Sequence, residues 1–145
     1  MRVHDEDVKP VAINIEPSKV CFIIVKAREF DAKVDPVEPD PGSNETDDGE
    51  REILEDYADD PTFEELRGAI EILNEDEAVD LVALAWVGRG DFTRIEWAQA
   101  QALARTSRSG PAAAYLMGMP ALGDYLEEGL AELGYNCSDI DAQHL

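Results

Sequence analysis

From Ala78 to Val87 the only polar side chain is Asp80. The flanks of this run read as helix ends. Asn74 with Glu77 three residues on forms a capping box, and Gly88 and Gly90 predict the stop. A helix apolar nearly all round leaves no face for water, so other elements must surround it. The chain therefore needs a packed core with this helix at its centre. At 145 residues and 16.0 kDa, with 44% hydrophobic residues, one such domain is the expectation.

The surrounding elements also read as helices. In Pro17–Phe30, Val20, Ile23, Ile24, Ala27 and Phe30 recur at helical spacing, with Pro17 suited to the first position. A β-hairpin competes there, because Val11, Ile13 and Ile15 alternate and Val20–Val25 is rich in β-branched residues. No glycine in Glu16–Lys19 supports a tight turn, and the helix is favoured. A short acidic helix is expected over Glu50–Asp59. Asp60 as N-cap with Pro61 behind it then opens a helix whose inner face is Phe63, Leu66, Ile70 and Leu73.

Thr93 with Glu96 predicts a further capping box, opening an alanine-rich helix with Ile95, Ala98 and Ala102 inward. Pro111–Met117 reads as a short helix. Pro120 starts the last one, striped by Leu122, Tyr125, Leu126, Leu130 and Leu133 and stopped by Gly134. The expected architecture is all-α, a compact bundle of about six helices with an acidic, Pro-rich loop after the first. Residues 1–12 read as an N-terminal extension and 13–134 as a single helical domain, with the loop at 32–49. Residues 135–145 read as a polar, loosely held tail.

Charge narrows the partners. Thirty-three Asp and Glu against 12 Lys and Arg leave a formal charge of −21, and acids crowd Asp35–Asp60 with Arg51 the only base among them. Such a surface repels phosphate backbones and anionic lipid, so neither nucleic acid nor membrane is an expected partner. Asp60–Gly88 could imitate a helix-turn-helix, but its reading helix would carry Glu75, Asp76, Glu77 and Asp80 toward phosphate. No apolar run approaches the ~18–20 residues of a membrane span. The N-terminus resembles no secretory signal. Cys21, in an apolar run, reads as a buried, inert thiol. A disulfide to the distant Cys137 is the alternative, and a cytoplasmic location is expected.

Four passages carry a family resemblance: FIIVKAREFDAK (Phe22–Lys33), EPDPGSN (Glu38–Asn44), EDEAVDLVALAWVGRGD (Glu75–Asp91) and AAYLMGMPALGDYLEEGLAELG (Ala113–Gly134). In register from about Ile13 to Gly134, the chain resembles the domain of unknown function 3775 family of uncharacterised bacterial proteins. The resemblance implies a small helical protein. It implies no activity, ligand or partner.

The candidate sites are modest. A calcium-loop template on Asn44–Glu55 puts Gly49 and Glu55 in place. It also puts Asn44 at the first position and Arg51 where an apolar anchor belongs, so a solvated acidic loop is preferred. His4 and His144 stand near the ends, and no nucleophile motif or phosphate loop is present. Glu127 and Glu128 are adjacent on a helix and diverge. No catalytic, cofactor or metal residue is assigned.

The most suggestive feature is the turn Gly88-Arg89-Gly90-Asp91. Four of the 12 bases (Arg89, Arg94, Arg105, Arg108) fall within Arg89–Arg108, where they could grip a carboxylate or phosphate. The plainer reading has them neutralise helix ends, or has Arg89 and Arg105 dock the Asp35–Asp60 segment. Tyr115, Met117 and Met119 could line a groove, though core packing is the commoner fate. Possible ligand or partner contacts are thus Arg89, Asp91, Arg94, Arg105, Arg108 and Tyr115.

The sequence does not name a function. The favoured reading is a small acidic binding protein engaging a basic protein partner rather than an enzyme. The alternative is a small-ligand or carboxylate-based enzymatic site around Gly88–Arg108. Adaptation to high salt would explain the acidity without any function. The stripe on the last helix also leaves room for a homodimer.

Overall fold

A computed structural model describes residues 9–33, 60–107 and 110–138. Six helices and no strand occur among them: α1 (Pro17–Lys33), α2 (Pro61–Glu71), α3 (Glu75–Arg89), α4 (Trp97–Ser107), α5 (Ala112–Met117) and α6 (Leu122–Glu132). The all-α expectation is met, and the helix favoured over Pro17–Phe30 forms and continues to Lys33. The expected acidic helix, the Pro-rich loop, the calcium-loop template, Arg108 and both histidines lie outside the described residues. No described helix is long and apolar enough to cross a membrane.

Local chemistry accounts for the helix starts. Asp60 accepts from the N–H groups of Thr62 (2.8 Å) and Phe63 (3.1 Å), and Pro61 follows it. Asn74 accepts from Glu77 N at 2.8 Å while Glu77 accepts from Asn74 N at 2.9 Å, closing the capping box of α3. Both acids are also ion-paired, Asp60 with Lys33 of α1 at 3.3 Å and Glu77 with Lys19 of α1 at 2.9 Å.

The hydrogen bond from Phe63 N, then that from Lys33, holds the Asp60 carboxyl below its ordinary 3.8. The hydrogen bond from Lys19, then that from Asn74 N, holds Glu77 below 4.5. Depressed carboxyls stabilise the fold above their unfolded pKa, and that stability is lost as pH falls through the folded value. Thermal melts should therefore drop in midpoint below about pH 4.5. The drop should be shallower in Asp60→Asn with Glu77→Gln, which keep cap acceptors but do not titrate. An unchanged slope would place the acid sensitivity elsewhere.

As expected, α3 is central, with every residue from Ala78 to Val87 buried. Its end differs from expectation. Gly88 does not stop it; the helix runs to Arg89, and Gly90 at φ 102° makes the C-cap. Gly90 N donates to Val87 O and Asp91 N to Trp86 O, satisfying the last carbonyls.

Gly88 serves tertiary contact instead. A Cβ there would overlap the Tyr125 carbonyl oxygen of α6 and lie 2.9 Å from Gly129 N. Reciprocally, a Cβ on Gly129 would overlap Leu84 O of α3, and one on Gly123 would meet Arg28 Cγ of α1 at 2.9 Å. α6 thus lies backbone to backbone against α3, with α1 along its other side. Its stripe of Leu122, Leu126, Leu130 and Leu133 is buried within this same chain. The feature that suggested a homodimer is therefore used internally.

The inner face of α4 is also not the one expected. The Thr93–Glu96 capping box forms, but it opens a 3₁₀ turn at Arg94–Glu96 before the α-helix starts at Trp97. Trp97, Ala100 and Ala104 face inward, while Ile95 is 92% exposed and Ala98 and Ala102 are exposed.

The first and last described segments, before α1 and after α6, are tied to the bundle. Ile15 is buried, Val11 N donates to Leu133 O at 2.9 Å, and Tyr135 Oη donates to Val11 O at 2.7 Å. A disulfide joins Cys21 of α1 to Cys137, with Cα atoms 5.7 Å apart. Cys21 is buried as expected but is bonded rather than a free thiol, and the tail is held as far as Ser138.

Candidate functional site

The turn after α3 gathers part of the expected constellation. Trp86 Nε1 donates to Tyr115 Oη of α5 at 2.9 Å, and the Trp86 ring stacks on Phe92 with centroids 6.1 Å apart. Arg89 Nε and Nη2 donate to Asp91 Oδ2 at 2.9 and 2.6 Å. Burial works against the Arg89 charge. The hydrogen bond to Asp91, helped by the Tyr115 hydroxyl, nevertheless holds its proton more firmly than in a free guanidinium. Arg89, Asp91 and Tyr115 thus form one half-exposed cluster around an indole. Met119 is partly buried nearby in sequence, and Met117 is core.

The other two described arginines go elsewhere. Arg94 donates to Glu132 O at the end of α6 at 3.3 Å and to Lys9 O, a cation at a helix C-terminus. Arg105 Nη2 donates to Asp76 Oδ1 at 2.9 Å, and Nη1 lies 3.7 Å from Glu75, against the first turn of α3. These guanidiniums sit at different edges of the bundle, where they neutralise its own acids and carbonyls. Solvent screens such exposed pairs, so they add little to stability. Whether Arg89 or Arg105 also touches the acidic segment falls outside the described residues.

The group that composition alone would not single out as organised is Asp80. It is fully buried. Asn14 N donates to its Oδ2 at 2.5 Å and Gln101 Nε2 of α4 to its Oδ1 at 2.8 Å. One carboxylate thereby fastens the N-terminal segment, α3 and α4 together. A charged residue alone in an apolar run was the available signal, since burial of a charge demands partners; the partners are non-local and were not legible. The buried indole N–H of Trp97 has no acceptor among the described residues.

An open concavity of about 210 Å³ lies beside the tail, lined by Glu127, Glu128, Leu130, Tyr135, Asn136 and Cys137. No group of three or more His, Cys, Asp or Glu placed to hold a metal occurs among the described residues. Asp80 and Trp97 belong to the interior rather than to this concavity.

The described helices form an all-α bundle in which α3 and α6 are fitted to each other at Gly88 and Gly129. The family model described as protein of unknown function (DUF3775) matches residues 63–135, from the first turn of α2 through α6 to Tyr135. The chain belongs to that family. The matched stretch is shorter than the resemblance read from Ile13 onward, and α1 lies outside it. No curated protein and no solved structure matches the chain.

Proposed function

We propose that this is a cytoplasmic, non-catalytic binding protein whose partner is a basic protein surface. The observation that supports this is how the bases are used. Lys19, Lys26, Arg28, Lys33, Arg67, Arg89 and Arg105 all lie in ion pairs with the chain's own carboxylates. Over the whole sequence 33 acids stand against 12 bases, so a surplus of negative charge remains. A negative potential of this kind steers a positive surface into encounter and discriminates against anions. The half-exposed Arg89, Asp91 and Tyr115 cluster supplies a polar and aromatic edge at which such a partner could register.

A small-ligand reading draws on the same cluster, because an arginine beside a phenol suits a carboxylate. Titration calorimetry separates the two. A lysine- and arginine-rich peptide should bind stoichiometrically and weaken at least tenfold between about 50 and 300 mM NaCl, as ion-pair screening requires. A neutral peptide of equal length should not bind. Absence of saturable heat with the basic peptide would end the proposal. Saturable binding of a small dicarboxylate, abolished by Arg89→Ala, would favour the ligand site.

A further inference from the structure

We propose that the Cys21–Cys137 bond is a redox-operated clamp. Closed, it pins the chain beyond α6 and, through that chain, the segment at Lys9–Val11. Opened by a dithiol, it releases both while the helical bundle stays folded.

The bond spans a sequence separation of 116, yet what it holds is peripheral. Cys21 is 5% exposed within α1 and belongs to the core, whereas Cys137 is only partly buried and borders the open concavity. Of the residues after α6, Leu133 is buried and Tyr135 packs partly against the core, while Asn136 and Ser138 are exposed. Tyr135 N donates to Leu130 O at 2.8 Å and Tyr135 Oη to Val11 O, while Ser138 N donates only to the neighbouring Asn136.

The incoming segment leans on the same place. Val11 N reaches Leu133 O, and a Cβ on Gly134 would lie 3.0 Å from Pro10 Cα. Upstream and downstream segments are therefore pinned to each other beside the disulfide. Deeper in, Ile15 and the Asn14–Asp80 bond are independent of it and provide the hinge. The packing among α1, α3 and α6 does not pass through Cys137.

Exposure sets the direction of attack. The thiolate of an external dithiol attacks Cys137 Sγ, forming a mixed disulfide, and Cys21 leaves as a thiolate that takes up a proton. The second thiolate of the dithiol then attacks the mixed disulfide, closes its own S–S bond and expels Cys137, which is protonated in turn. Two electrons and two protons pass from the dithiol to the protein. An oxidised dithiol runs the exchange backwards. In a compartment whose thiol pool is reducing, the open form is the resting state and oxidation closes the clamp.

The test uses the full oxidised chain, dithiothreitol as the probe, thiol trapping with iodoacetamide, helical circular dichroism and amide exchange. Both thiols should become trappable without denaturant while the helical signal is kept. Exchange at Val11 and Tyr135 should accelerate at least tenfold, with Val82 and Leu84 still protected when those two have exchanged. Cys137→Ser should show the fast exchange permanently and ignore oxidant. Reduction only after denaturation, collapse of the helical signal on reduction, or equal exchange at Val11 and Tyr135 in both states would each overturn the clamp. If Cys137→Ser does not fold, the wild-type comparison decides alone.

Discussion

Gly129→Ala should destabilise the protein by roughly 3 kcal/mol or more, although alanine is the better helix former. Added to α6, the methyl group overlaps Leu84 O and lies 3.0 Å from Leu84 C, and both atoms belong to the backbone of a buried helix. A side chain could rotate away; a backbone in the middle of α3 can only move with the helix. Gly88→Ala meets the reciprocal obstacle at the Tyr125 carbonyl and should act in the same direction. Gly68→Ala supplies the contrast. Gly68 sits in α2 with nothing within 4 Å of a built Cβ, so alanine there should stabilise by up to about 1 kcal/mol. Urea unfolding of the three variants checks the signs. A neutral Gly129→Ala would mean that α3 and α6 are farther apart than described.

Gln101→Leu should lower stability by about 2–4 kcal/mol, because it removes a donor from a carboxylate with no access to water. Oδ1 of Asp80 would then lose the Gln101 donor, with Asn14 N left on Oδ2. Asp80→Asn should be far milder: its oxygen can still accept from Asn14 N, and its amide can donate to Gln101 once that side chain turns over. Asp80→Leu combined with Gln101→Leu should lose less than the sum of the single changes, since the two share one hydrogen bond. Denaturant midpoints of the set provide the measurement. Strict additivity would show that the two side chains do not act as a unit.

Legibility in the sequence follows the range of the interaction. Asp60, Asn74, Glu77, Thr93, Glu96, Gly90 and Gly134 act within a few residues of themselves, and each takes its expected capping or turn geometry. The apolar stripes of α1, α2 and α6 were likewise readable, since three or four residues' spacing places them on one face. The stripe of α4 differs from expectation because Trp97, Ala100 and Ala104 share the i, i+3, i+7 face that the bundle buries, while Ala98 and Ala102 lie on another; alanine on both faces leaves the choice to the large Trp97 ring. The arginines were readable as a cluster along the chain but not in space, where Arg89, Arg94 and Arg105 reach different edges.

Sequence alone determined that the chain is helical, where most helices begin and end, and that Ala78–Val87 must lie at the centre. Those features depend on backbone hydrogen bonds and side-chain spacing within one or two turns. Only the tertiary structure decided that Gly88 meets the Tyr125 backbone, that Asp80 joins three elements, and that Cys21 meets Cys137. Each depends on an atom dozens of residues away, and no local pattern encodes which distant backbone will come within a methyl's width.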